Sequence, residues 1–123
     1  MGGKTRGVLV VDNDPGVRGA IVRKLIIDGV RADIAQTASD AMRLLDEATY
    51  EVVLLDWQLP DGDGGQVVSH LRRAIGKRPE RVMVMTSAGA KTLRNLDRDF
   101  VRGVLFKPLD FAALTAHVRA MLS

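Results

Sequence analysis

Four apolar runs in this chain each stop at a residue able to handle a charged group. VLVV at 8–11 stops at Asp12, with Asn13 and Asp14 next. VVLL at 52–55 stops at Asp56, with Trp57 and Gln58 next. VMVM at 82–85 stops at Thr86, and GVLF at 103–106 stops at Lys107. If Asp12 and Asp56 end neighbouring strands, their charges stand roughly 5 Å apart and repel by about 3 kcal/mol at an effective dielectric of about 20. A proton, a lysine or a metal ion must offset that repulsion. Lys107 is one counter-charge; a hard divalent cation is another, and all-oxygen ligands favour magnesium. A carboxylate beside magnesium, a hydroxyl and an ammonium is equipped for phosphoryl transfer. It attacks phosphorus and becomes an acyl phosphate while the cations stabilise the transferred oxygens. The plainer reading of the same residues is an ion pair capping a sheet.

The elements that would position these residues can be read from periodicity. Runs 8–11, 52–55 and 82–85 are continuous and rich in Val, as strands covered on both faces are. A fourth run ends at Phe106. The stretch 30–35 alternates Val30, Ala32 and Ile34 with Arg31 and Asp33, which predicts an edge strand. Between the strands lie helical patterns. Asp14 and Pro15 open one through about Ile27, with Val17, Ile21 and Leu25 inward. Thr37 caps a second, with Ala38, Ala41, Met42 and Leu45 inward, and Asp63 a third, with Val67, Val68 and Leu71 inward. A fourth, about 90–98, is weakest, with Leu93 and Leu96 as its anchors. Asp110 opens the fifth, with Leu114, Val118 and Met121 at helical spacing. Strands alternating with helices predict an α/β fold, a doubly wound five-stranded parallel sheet with five helices on both faces. In such a sheet ligands bind outside the carboxyl ends of the strands, where the four chemical residues fall.

The 123 residues suit one domain, read as a flexible leader at 1–6 and a domain at 7–123. The GGKT of the leader matches the tail of a phosphate-binding loop, but no strand or upstream glycine precedes it. There is no cysteine, which excludes disulfides and cysteine-based zinc sites. No apolar stretch approaches the roughly 18 residues of a membrane span. The net charge of +3 is spread along the chain and aromatic residues are only 4%, so solvated helix faces explain the basic residues better than nucleic-acid binding does. His70 and His117 read as surface histidines.

The stretches VLVVDNDPGVR, VVLLDWQLPDGDGG, VMVMTSAG and GVLFKPL, in this order and spacing, resemble the receiver domain of bacterial two-component response regulators. The resemblance covers the whole chain and implies the flavodoxin-like strand order 2-1-3-4-5. It implies Asp56 as phosphoacceptor, Asp12 in the acid pocket, Thr86 as switch hydroxyl and Lys107 as the pocket lysine, with a cis Lys107–Pro108 bond. It implies Mg2+ held by Asp12, Asn13, Asp56 and the main-chain carbonyl of Gln58. It also implies a cytoplasmic protein that catalyses only its own phosphorylation and dephosphorylation. Its partners would be a histidine kinase or phosphotransfer protein, a downstream effector, and a phosphorylation-dependent second copy. Docking is expected on the first helix, around Val17, Ala20 and Ile21, and the loop after Lys107. The chain reads as a stand-alone regulator or a piece of a longer regulator or hybrid kinase.

Two residues depart from the family's pattern. The family usually has a second acid where Asn13 stands, so the amide predicts weaker magnesium binding. It often has Tyr or Phe where Val104 stands, so the usual aromatic switch cannot operate as such; Phe106 is expected to be packed. Gln58 and Ala88 occupy positions that tune dephosphorylation in the family, and Ala88 has no side chain to position a water. Two rival readings remain: a phosphate-independent interaction module, and a haloacid-dehalogenase-type phosphatase with Asp12 as nucleophile and Asp14 as acid.

Overall fold

A computed structural model describes residues 7–73, 81–87, 93, 96 and 100–122. Its main sheet has five parallel strands: β1 (Val8–Val11), β2 (Ala32–Ala35), β3 (Val52–Asp56), β6 (Arg81–Thr86) and β7 (Val101–Phe106). Their order is β2-β1-β3-β6-β7, which is the expected 2-1-3-4-5 once a separate hairpin, β4 (Gln58–Leu59) with β5 (Gly62–Asp63), is set aside. The described helices are α1 (Pro15–Ile27), α2 (Ala38–Glu47), α3 (Gly64–Arg73) and α4 (Phe111–Leu122). The expected helix at 90–98 lies outside the described residues except for Leu93 and Leu96. Both of these anchors are buried.

Strand alternation divides the core into two layers. Leu9, Val11, Val53, Leu55, Val82 and Val84 point to the side where α2 and α3 pack through Ala38, Ala41, Leu45, Val67, Val68 and Leu71. Val8, Val10, Val52, Leu54, Met83 and Met85 point to the side of α1 and α4, against Ile21, Leu25, Leu114 and Val118. Each such fully buried side chain is worth about 1.5–3 kcal/mol, so β1, β3 and β6 are anchored on both faces. The chemical residues at their ends inherit that rigidity.

Local signals set the helix starts. Asp14 accepts the N–H of Gly16 and Val17, Thr37 that of Asp40, and Asp110 that of Ala113. Asp63 stands directly before α3 but within the hairpin. Strand β2 begins two residues later than the alternation suggests, because Val30 N–H bonds back to Leu25 and finishes the turn out of α1. It is the edge strand, as expected. Phe106 is a correction: it ends β7 57% exposed, not packed. No helix among the described residues is long and apolar enough to cross a membrane.

Candidate functional site

The three central charges meet at the carboxyl end of the sheet. Lys107 Nζ donates to Asp12 Oδ2 at 2.9 Å and to Asp56 Oδ2 at 3.0 Å. These residues come from the ends of β1, β3 and β7. Asp12 is fully buried and Asp56 nearly so. The second oxygen of each carboxylate is held by its own loop: Asp14 N–H donates to Asp12 Oδ1 at 2.8 Å, and Gln58 N–H to Asp56 Oδ1 at 3.1 Å. Arg18 reaches back from α1 and donates to the main-chain carbonyl of Asp12 at 2.9 Å.

Thr86 is fully buried at the end of β6. It follows Met85, the cross-strand partner of Asp56, and its carbonyl accepts the N–H of Lys107 at 2.8 Å. The Lys107–Pro108 peptide is cis, as the resemblance implies. Asn13 lies exposed on the loop from β1 to α1. The exposed Gln58 side chain accepts a hydrogen bond from Ser87 Oγ at 3.0 Å, which joins the Asp56 loop to the Thr86 loop. Ala88 lies outside the described residues.

Burial dominates the electrostatics of Asp56. Loss of water raises its carboxyl above the ordinary value; the Gln58 N–H and Lys107 act against this, and the Asp12 charge acts with it. Burial alone would lower Lys107, but its hydrogen bonds to Asp12 and Asp56 outweigh that and hold the ammonium above its ordinary value. Two carboxylates against one ammonium leave one net negative charge among the three.

That remainder suits a cation. A carboxylate oxygen can accept two hydrogen bonds or ligands. The described contacts therefore leave donor capacity on both acids, whose chain neighbours Asn13 and Gln58 carry neutral oxygens. Among the described residues no three His, Cys, Asp or Glu side chains cluster as metal ligands. A cation here would be held by two acids with neutral oxygens, the kind of partial shell on which magnesium keeps waters and phosphate oxygens. The residues fit the ion.

One expectation needs correction. Ile21 is fully buried, so only Val17 and Ala20 of the expected docking residues reach the surface. His70 lies at the surface as expected, 26% exposed, and its Nε2 is 2.7 Å from Asp46 Oδ1, bridging α3 and α2. Asp14, the acid required by the phosphatase reading, is spent on capping α1. The sequence does not mark Arg18 or Asp61 as site residues, nor the bond to Gln58 of Ser87, which follows Thr86 at the end of its strand. Asp61 accepts the N–H of Ala38 at 2.8 Å and of Ser39 at 3.0 Å, which ties the hairpin after Asp56 to the start of α2. Those two N–H bonds hold its carboxyl below the usual range. The turn sequence Leu59-Pro60-Asp61-Gly62 was the only signal.

A family model described as the response regulator receiver domain matches residues 8–119. The phosphate regulon transcriptional regulatory protein PhoB of Escherichia coli is 29% identical over 124 residues, covering 95% of this chain and 52% of that protein. The transcriptional regulatory protein TcrA of Mycobacterium tuberculosis is 33% identical over 122 residues, covering 97% of this chain and 47% of that protein. The chain thus spans about half the length of the curated relatives it matches. Among solved structures, the response regulator TrrA of Thermotoga maritima, in complex with Mg2+ and BeF, superposes with a TM-score of 0.80 at 22% identity, covering 95% of this chain and 99% of that one.

Proposed function

This chain belongs to the response regulator receiver domain family, and from that premise we propose that Asp56 is its phosphoacceptor. One observation carries the reading: a single lysine, Lys107, bonds the acids that end two separate strands, and Asp56 is the less buried of the two. Asp12, the more buried acid, would hold the lysine, while Asp56 would receive the incoming group.

In the proposed reaction a carboxylate oxygen of Asp56 attacks the phosphorus of a phosphohistidine on a histidine kinase or phosphotransfer protein. The O–P bond forms as the P–N bond breaks, and the electron pair leaves with the imidazole nitrogen, which takes up a proton. Lys107 then exchanges part of its bond to Asp56 for a phosphoryl oxygen and offsets the charge that collects there. Thr86, buried at the end of β6, would donate its hydroxyl proton to another of those oxygens. Asp12 keeps the ammonium in register throughout. Mg2+, held by Asp12, Asn13, Asp56 and the Gln58 carbonyl, would supply further neutralisation of the phosphoryl oxygens. Occupation of the pocket would shift the loops that carry Thr86 and Lys107 between two arrangements, the signal a downstream effector would read.

Incubation with acetyl phosphate and Mg2+ tests this. One phosphoryl group should be gained, mapped to Asp56 and lost in Asp56→Ala. Label on Asp12 would instead support a phosphatase-type nucleophile. No label, and no response of Trp57 fluorescence to beryllofluoride with Mg2+, would support a phosphate-independent interaction module.

A further inference from the structure

We infer that the outer edge of β2 is a self-pairing surface, and that a second copy of this chain docks there in an antiparallel, two-fold arrangement centred on Ala32. Strand β2 ends the sheet: no other described strand pairs with its outer side. The carbonyls of Arg31 and Ala35 are turned inward and accept N–H bonds from Val8 and Asp12. By the alternation of a strand, the N–H and C=O groups of Ala32 and Ile34 point away from the sheet. Such an edge is a template for another strand.

The segment Val30-Arg31-Ala32-Asp33-Ile34 is complementary to itself when reversed about Ala32. In that register Ala32 meets Ala32 as a hydrogen-bonded pair, which its outward backbone requires. Arg31 of each copy stands opposite Asp33 of the other, and Val30 opposite Ile34. Opposite charges on one face and apolar pairs on the other are the stabilising cross-strand combinations. Shifting the centre by one residue sets Asp33 against Asp33 or Arg31 against Arg31. Centring on Ile34 gives neither charge an opposite charge across the seam. The charges therefore select one register, with Asp33 already oriented by the Tyr50 hydroxyl at 2.7 Å.

The helix that leads into the seam, α1, ends in further exposed apolar residues. Val30 and Ala32 pack with Ile21 and Leu25, so Ile34 lies on the α1 side of the sheet. There it is 46% exposed, and Ile26 and Ile27 at the end of α1 are 62% and 72% exposed. Ile34 stands on the seam itself, an exposed aliphatic side chain that a second strand would cover. The pairing would join two sheets into one and close the assembly, since the contact is isologous. It leaves the pocket at the carboxyl strand ends open and does not depend on phosphate.

Sedimentation velocity on the unphosphorylated chain across a concentration series tests the inference. A reversible dimer is expected. Ile34→Lys and Arg31→Glu should each weaken it at least tenfold, the second because Glu would face Asp33. Ala32→Pro should abolish it while leaving the thermal unfolding of the monomer nearly unchanged, since the lost N–H points outward. In wild type, hydrogen exchange at the Ala32 and Ile34 amides should slow with concentration, while Asp33 and Ala35 stay constant. A monomer at every concentration overturns the inference. So does a dimer indifferent to Ile34→Lys, or one without protection at the Ala32 amide, whether or not Ala32→Pro folds.

Discussion

Asp56 stands where burial resists its charged form, and this has a consequence for stability. Because folding raises its pKa, its contribution is fully present below the unfolded value of about 3.8 and is lost as pH rises through the folded value. Asp56→Asn removes that loss. The variant should match wild type in acid and become the more stable protein as pH rises past the carboxylate range; urea midpoints across pH measure the difference. Asn13, exposed and next to Asp12 in sequence, is a ligand in the proposed Mg2+ site. As an amide it offers a metal an oxygen without a charge, and Asn13→Asp should tighten Mg2+ binding by about 1–3 kcal/mol, the worth of a hydrogen bond to a charged group. A Mg2+ titration followed by Trp57 fluorescence reads this, since the chain has one tryptophan. Asp12, Asp56, Thr86 and Lys107 were legible as sequence because each ends an apolar run, so the strand itself aims the residue. The bonds made by Arg18 and Ser87 were not. Their partners are a main-chain carbonyl and the side chain of a distant loop, and neither leaves a pattern in residue types.

The element that sets the Asp56 loop is the short hairpin from Gln58 to Asp63 with the helix start behind it. Trp57 N–H bonds to the carbonyl of Met85, and the Trp57 carbonyl accepts the N–H of Gly64, both at 2.8 Å. Those bonds bring α3 so close that a Cβ at Gly64 would lie 2.8 Å from the Trp57 ring and 3.2 Å from the Asp56 carbonyl oxygen. Gly64→Ala should therefore cost about 1–3 kcal/mol, as overpacking does, and change Trp57 emission through the displaced ring. Gly19→Ala is the control. Nothing lies within 4 Å of a Cβ there, and replacing a mid-helix glycine should add about 0.5–1 kcal/mol of stability. Denaturant unfolding of the two variants separates contact from propensity. Strands and helices were legible here because apolar spacing reports burial directly. The hairpin was hidden, being too short to show alternation, and so was Asp61, whose work is to accept N–H groups from a helix 22 and 23 positions earlier.

At the scale of the whole molecule, Lys107 closes contacts 95 and 51 positions long, to the first and third strands of the chain. The sheet order β2-β1-β3-β6-β7 makes this meeting possible: β1 and β3 are adjacent at its centre, and β7 lies on the far side of β6. The parallel order was legible from the alternation of strand and helix patterns, and Lys107 as the counter-charge to both acids from its place at the end of an apolar run; the distances of 2.9 and 3.0 Å were not, because no spacing records them. Lys107→Met keeps the length of the stem and removes the ammonium, leaving two buried carboxylates facing one another. Breaking a buried pair this way costs about 3–5 kcal/mol, and the lower end suits a lysine that remains partly in contact with water. The loss should depend on pH in a defined sense. It should be largest near neutrality and shrink in acid, where protonated carboxyls no longer need the cation. It should shrink again in strong alkali, because the lysine's own contribution is present below 10.5 and is lost as pH rises through its raised folded value. Adding Asp56→Asn to Lys107→Met should return most of the lost stability, since only Asp12 is then left uncompensated. A double-mutant cycle run by urea unfolding at several pH values measures that coupling. A cycle that closes to zero at neutral pH would mean that the three strand ends do not act as one charged unit.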